Sequence, residues 1–264
     1  MIGFDGDPER AAELRHALDA LLEVFPEHLA KAQPPTWFDA DELVRNDQFD
    51  AILRAHKKDR LAIPIQALRS TGAPYHNFDL MNWRRLAWFV PSLLASWLDH
   101  APGPADRPFG ASDLEAIVAA GVEWTEEEAT ALETFFEAAL DAALATPLPP
   151  PRAPDEARPR EDGIRVWSLH YPSIPLEVLR VARTLHVDLD LLVARWALTP
   201  SELALEHLLE AVYDPTVASK HYLAHEAVAD RLGEAFFEAT GEHQARLSKA
   251  EATVRRNIAR REDV

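Results

Sequence analysis

Apolar residues recur along most of this chain at the spacing of an amphipathic helix, in segments separated by prolines, glycines and polar residues. In the first segment Asp7 and Pro8 form a helix start, and Pro26 follows as the stop. The apolar positions between them share one helix face and are Leu14, Leu18, Leu21, Leu22 and Phe25. No long segment alternates with period two, and no strand–helix–strand spacing is present. The pattern therefore predicts an all-α protein, either an irregular multi-helix bundle or a solenoid-like stack of helical hairpins.

The most hydrophobic segment runs from Asp79 to Asp99 and predicts a buried helix. Its apolar run from Leu86 to Leu98 has 13 residues, whereas a membrane span needs about 20. Residues 1–10 carry acidic side chains where a secretory signal would carry Lys or Arg. The chain also contains no cysteine, as is common in a reducing compartment. These features together predict a soluble, cytoplasmic protein.

Several helix starts and stops can be identified from local motifs. Thr125 and Glu128 have the spacing of a capping box, in which each side chain bonds to the backbone N–H of the other residue. Thr199 is predicted to be an N-cap, with Glu202 at the third helical position. A penultimate helix is predicted from Lys220 to Thr240, and a last helix follows it.

A proline-rich segment predicts a division of the chain into two halves. Residues 147–163 contain six prolines and no large apolar run, which is typical of an extended linker. The expected parts are an acidic N-terminal helical half at 1–146, this linker, and a C-terminal helical half at 164–264. Residues 1–150 contain 12 Lys and Arg against 25 Asp and Glu, a net charge of −13, whereas the remainder has 15 against 19, a net charge of −4.

The total formal charge of −17 bears on which partners are expected. Nucleic acids and anionic membrane surfaces attract basic proteins, so both are disfavoured as partners. A basic protein is the natural electrostatic complement of the acidic first half. A solvated, acidic helical surface that only maintains solubility is the alternative explanation.

Three segments carry a resemblance to other proteins. WFVPSLL from Trp88 to Leu94, GVEWTEEEATALETFF from Gly121 to Phe136, and VDLDLLVARWAL from Val187 to Leu198 resemble an uncharacterised group of bacterial all-helical proteins. The resemblance implies an all-helical fold and supplies no activity, because the shared motifs are core and cap residues. Members of that group often carry a cysteine pair after the first helix, which this chain lacks.

One histidine pair is a candidate metal site. His221 and His225 are four residues apart, so on a single helix they would lie on the same face and could bind Zn or another divalent metal, with Glu226 beside them. The order of His and Glu differs from the zincin pattern, and no third ligand is evident from the spacing, although His207 or His243 could approach in space. Two partly exposed histidines on a polar helix face are the alternative, in which case no cofactor is bound.

Other residues are candidates for a protein interface. Trp88 lies away from the centre of the apolar helix face, and if it is exposed it is the best single anchor for a partner. Trp37 is a second aromatic candidate, and Glu126 and Glu127 offer acidic contacts. These two glutamates also lie at the positive end of their predicted helix, which already accounts for them.

The last helix ends in a basic cluster formed by Arg255, Arg256, Arg260 and Arg261. Basic helices can contact phosphates, but cations also suit a helix C-terminus, and Glu251 precedes Arg255 at the favourable i, i+4 spacing. Packing of this cluster against the acidic first half, in the same chain or in a second copy, is about as plausible as a role in binding nucleic acid. A homo-oligomer built through this helix is therefore one of the expectations.

Three hypotheses for function follow. The preferred one is a non-catalytic helical interaction module, an acidic adaptor or an immunity-like inhibitor that binds a basic protein. No nucleophile motif, phosphate loop or acid–base pair is identifiable in the sequence. The alternatives are a metal-dependent enzyme or metal-binding protein that uses His221, His225 and Glu226, and a self-assembling structural protein.

Overall fold

The structure is a computed structural model. It describes the residues 8–25, 51, 54–56, 61, 83–99, 123–148, 173–214 and 217–262. Trp37, most of the linker at 147–163 and most of the segment between the first two long helices lie outside these described residues.

The described part of the chain is all-α and contains no strand, which confirms the predicted fold class. Its helices are α1 (Pro8–Val24), α2 (Trp83–Asp99), α3 (Glu126–Ala145), α4 (Ile174–Thr184), α5 (Leu189–Leu198), α6 (Glu202–Tyr213), α7 (Val217–Tyr222), α8 (Glu226–Glu238) and α9 (Gly241–Glu262). The predicted apolar positions of α1 that are buried are Leu14, Leu18, Leu21 and Phe25. The fifth predicted position, Leu22, is partly exposed.

The described residues divide into two compact units. The first unit draws on residues 1–142 and 180–187, and the second on residues 143–179 and 188–264. Each of α3 and α4 therefore begins in one unit and ends in the other. The predicted division at residues 147–163 stays a prediction, because only residues 147 and 148 of that linker are described.

The core of the first unit is made by the apolar surfaces of α1, α2 and α3. Trp97 of α2 packs with Phe136 of α3, with ring centroids 6.3 Å apart. Phe25, which directly follows α1, packs edge to face on Trp124 at 5.6 Å. The indole Nε1 of Trp124 donates a hydrogen bond of 2.7 Å to the carbonyl oxygen of Leu185. Each fully buried ring of this kind stabilises the fold by roughly 1.5–3 kcal/mol.

In the second unit, α8 and α9 form an antiparallel helical hairpin. Three contacts define its register from the turn to the open ends, and they join Gln244 to Phe236, Arg255 to Asp230, and Arg261 to Ala224. Gly233 lies beneath the carboxylate of Glu251, where an added Cβ would be 3.4 Å from Oε1. The two helices therefore run side by side along most of their length.

Polar contacts join the other helices of the second unit to this hairpin and to one another. The hydroxyl of Tyr213, at the end of α6, donates to the carbonyl oxygen of Arg246 at 2.8 Å. Between α5 and α6, the buried Trp196 Nε1 donates to the carbonyl oxygen of Ala204 at 3.0 Å. Arg261 of α9 lies 3.7 Å from a carboxylate oxygen of Asp190 at the start of α5.

Two details of the predicted helix boundaries are wrong. The N-cap of α6 is Ser201, whose hydroxyl accepts from the backbone N–H of Ala204, while Thr199 is instead the C-cap of α5. The predicted helix from Lys220 to Thr240 is broken, because α7 ends at Tyr222 and α8 begins at Glu226. In both cases a side chain that accepts a backbone hydrogen bond starts the helix later than the apolar periodicity suggests.

Candidate interaction surfaces

The outward face of α3 is acidic along its length. Residues 123–148 contain seven Asp and Glu and no Lys or Arg. Six of these acids are at least partly exposed, and they are Glu123, Glu126, Glu127, Glu133, Glu137 and Asp141. Glu126 and Glu127, the two interface candidates named from the sequence, are exposed in the first turn. We call these six residues the α3 acidic face.

A capping box determines where α3 begins. The carboxylate of Glu128 accepts from the Thr125 backbone N–H at 2.9 Å, and the Thr125 hydroxyl accepts from the Glu128 backbone N–H at 3.2 Å. This reciprocal pair confirms the motif predicted from the sequence. Glu128 is therefore buried in a structural role, so it is separate from the exposed carboxylates of Glu126 and Glu127.

The condition attached to Trp88 as an interface anchor is not met. Trp88 is 3% exposed, and its ring packs edge to face on Phe89 with centroids 4.8 Å apart. Every residue from Ala87 to Ala95 is buried, so α2 has no solvent side in this stretch and an off-centre position is still inside the core. Trp37 lies outside the described residues, so its assignment stays a prediction.

The geometry expected for the His221–His225 metal site is not present. His221 lies on α7, whereas His225 lies after that helix ends, as the N-cap of α8. The Nδ1 atom of His225 accepts a hydrogen bond from the Ala227 backbone N–H at 3.1 Å, and Glu226 forms an ion pair with Arg255 at 3.3 Å. The described residues contain no group of three His, Asp or Glu side chains placed to hold a metal ion. His221 and His225 therefore do not share a helix face, and metal binding by these residues stays a prediction.

Part of the basic C-terminal cluster is used within its own unit. The guanidinium of Arg255 bonds to the carboxylates of Glu226, Asp230 and Glu251 at 2.9–3.4 Å, and these bonds, Glu251 first, raise the pKa of Arg255. In contrast, Arg256 forms no ion pair among the described residues and is exposed. The cluster therefore has two parts: Arg255 joins the two helices of the hairpin, whereas Arg256 faces solvent.

A surface that sequence reasoning missed lies at the turn of the α8–α9 hairpin. Phe237 is 83% exposed, and its ring packs edge to face on that of Phe236 at 5.5 Å. In the sequence, the pair of adjacent phenylalanines reads as core. The detectable signal is the helical phase, because Phe237 is eleven residues after Glu226 and seven after Asp230, which places it on the polar side of α8.

A second feature that sequence reasoning missed is the burial of the imidazole of His207 on α6, which is 1% exposed. Its Nε2 lies 2.7 Å from the carbonyl oxygen of Thr146, an acceptor, so Nε2 carries the proton. Its Nδ1 is buried without a hydrogen-bond partner among the described residues. Burial lowers the pKa of His207, while the Thr146 carbonyl and the Glu210 carboxylate oppose that effect. The imidazole is therefore held in its neutral form.

Comparisons with protein-family models, with curated proteins and with solved structures found no match to this chain. The resemblance to a group of bacterial helical proteins stays a prediction, and the function rests on the surfaces described above. None of the described helices is both long and apolar enough to cross a membrane.

Proposed function

We propose that the protein is a non-catalytic helical interaction module that binds a basic protein, acting as an adaptor or as an immunity-like inhibitor. The observation that carries the proposal is the α3 acidic face. Glu126, Glu127 and Glu133 form no ion pair among the described residues, so their charge is directed outward.

The arrangement of these charges favours binding over simple solubility. Solvated surfaces usually intersperse both signs of charge, whereas residues 123–148 contain no Lys or Arg. A cation does approach the end of α3, where Arg10 of α1 donates to the carbonyl oxygen of Asp141 at 2.6 Å, so among the described residues the unpaired acidic charge of α3 is that of Glu126, Glu127 and Glu133. Glu126, Glu127 and Glu133 are spaced along one helix, so their potentials add at the surface, attract a cationic partner and increase its association rate. The capping box of Thr125 and Glu128 holds the first turn in place, so little ordering is needed on binding.

The first test is a pull-down from the native host at low salt, followed by stepwise elution with salt and identification by mass spectrometry. We expect one stoichiometric basic protein, released as the salt rises, because salt screens exposed charges that are farther apart than the Debye length, which is about 8 Å at 0.15 M salt and shortens as more salt is added. Recovery of the bait alone, or of a partner whose binding is indifferent to salt, contradicts the proposal.

A pair of matched variants assigns the binding to the α3 acidic face. Glu127→Gln and Glu202→Gln each remove one exposed carboxylate from the first turn of a helix, in α3 and α6 respectively. Both variants lose the same interaction with a helix dipole, which is typically 0.3–1 kcal/mol. We expect only Glu127→Gln to weaken the partner's binding and to flatten its salt dependence. Equal effects of both variants would contradict this location of the binding surface.

A further inference from the structure

We propose that the turn of the α8–α9 hairpin is a docking surface for the basic partner, with the ring of Phe237 inserted into an apolar pocket of that partner. We call residues 234–242 the hairpin tip. This inference rests on the proposed function, because the occupant is a basic protein, and the residues that carry it all belong to the second unit.

The exposure of Phe237 is the first step. The buried side of α8 is formed by Val228, Ala229, Leu232 and Ala235. Phe237 lies on the opposite side and is 83% exposed, so the core does not use its ring. Aromatic side chains are enriched where partner proteins make their strongest contacts, because each covers a large apolar area with only two rotatable bonds.

The second step is that the hairpin tip is rigid. Only Ala239 and Thr240 separate the two helices. The backbone N–H of Ala239 donates to the carbonyl oxygen of Ala235 at 3.1 Å, and the Gln244 amide donates to the carbonyl oxygen of Phe236 at 3.2 Å. Gly241 has φ +64°, a backbone conformation that residues other than glycine rarely adopt. A partner therefore meets Phe237 on a backbone that is already ordered, so little backbone entropy is lost on binding.

The charge around the ring identifies the occupant. Glu234, Glu238 and Glu242 are exposed and form no ion pair among the described residues. No Lys or Arg occurs from residue 232 to residue 245. An apolar pocket with cations around its rim complements this surface. A second copy of the chain is less suitable, because each copy carries a net charge of −17 and repels the other.

Two truncations of exposed apolar side chains test the proposal. Phe237→Ala removes the proposed anchor, and Leu198→Ala is the matched control, because Leu198 on α5 is 76% exposed. Both positions are on the surface, so both variants are expected to fold. Wild type and variants are used as baits in extract from the native host, and the protein that wild type captures is then titrated against each by calorimetry.

We expect Phe237→Ala to weaken binding of that basic protein by about 30-fold or more, the loss typical of a central interface residue. Leu198→Ala should change the affinity by less than about twofold. Equal affinities for wild type and Phe237→Ala overturn the docking surface but leave the proposed function intact. Capture of no basic protein by wild type overturns both. Light scattering tests whether a second copy of the chain occupies the hairpin tip instead. If the wild type self-associates and Phe237→Ala abolishes this, the hairpin tip binds a second copy and the proposal is overturned.

Discussion

Acidification should destabilise the fold through His207, whose buried imidazole is neutral and whose Nδ1 has no partner among the described residues. A proton on Nδ1 would create a buried N–H donor without an acceptor. Leaving such a donor unsatisfied costs about 1–3 kcal/mol, and more when the group is charged. This cost falls on the folded state alone, because water solvates the imidazolium in the unfolded chain.

The direction of the pH dependence follows from the pKa of His207, which burial lowers from its usual 6.5. Well above pH 6.5 both states are neutral at this position and the full stability is present. As the pH falls below 6.5, the unfolded chain binds the proton first, so the free energy of unfolding decreases. The decrease continues until the folded state also binds the proton. One proton limits the slope to about 1.4 kcal/mol per pH unit.

The assay is urea unfolding followed by far-ultraviolet circular dichroism at several values between pH 8 and pH 5. His207→Gln removes the titrating ring but keeps an N–H donor for the Thr146 carbonyl. We expect it to lose stability less steeply than wild type below pH 6.5. His16→Gln removes one exposed imidazole of α1 and is the control. Equal pH slopes for wild type and His207→Gln would refute the reasoning, since the other histidines are shared.

Three further predictions concern stability, and urea unfolding measures all of them. Thr125→Ala should lower the free energy of unfolding by about 0.5–2 kcal/mol, whereas Thr125→Ser retains the capping hydroxyl; equal losses would contradict the capping role. His225→Ala should cost about 1 kcal/mol while His225→Asn does not, because the side chain of residue 225 accepts from a backbone N–H. Trp88→Ala should cost about 3–5 kcal/mol as a buried ring; a loss below 1 kcal/mol would mean that Trp88 lies outside the core.

Features that depend on neighbours in sequence could be predicted well. The apolar stripe of α1 and the reciprocal bonds of Thr125 and Glu128 involve residues within one or two helical turns, so the helix geometry alone brings them together. The all-α class followed from the same periodicity. Glu126 and Glu127 are exposed in the first turn of α3, and their role at an interface stays a prediction.

Features that depend on what packs against a helix could not be predicted in this way. Trp88 is buried because α2 is covered on every side between Ala87 and Ala95, which spacing within one helix does not reveal. His225 interrupts the predicted helix because an imidazole nitrogen serves as the cap acceptor, a role usually taken by Ser, Thr, Asp or Asn. The burial of His207 and the hydrogen bond of its Nε2 depend on Thr146, which is 61 residues away in the sequence.

The register of the α8–α9 hairpin has a consequence for how the second unit folds. Its contacts join residues whose separation grows from 8 at the turn to 25 and then 37 toward the open ends. Closing a short loop costs less chain entropy than closing a long one, and each contact shortens the loop that the next must close. We therefore expect the hairpin to zip from its turn, so that the two-residue connection beside Phe237 is among the first parts of the unit to become ordered. The nine residues of the hairpin tip would then become ordered early in folding and, in the proposed complex, contact the partner.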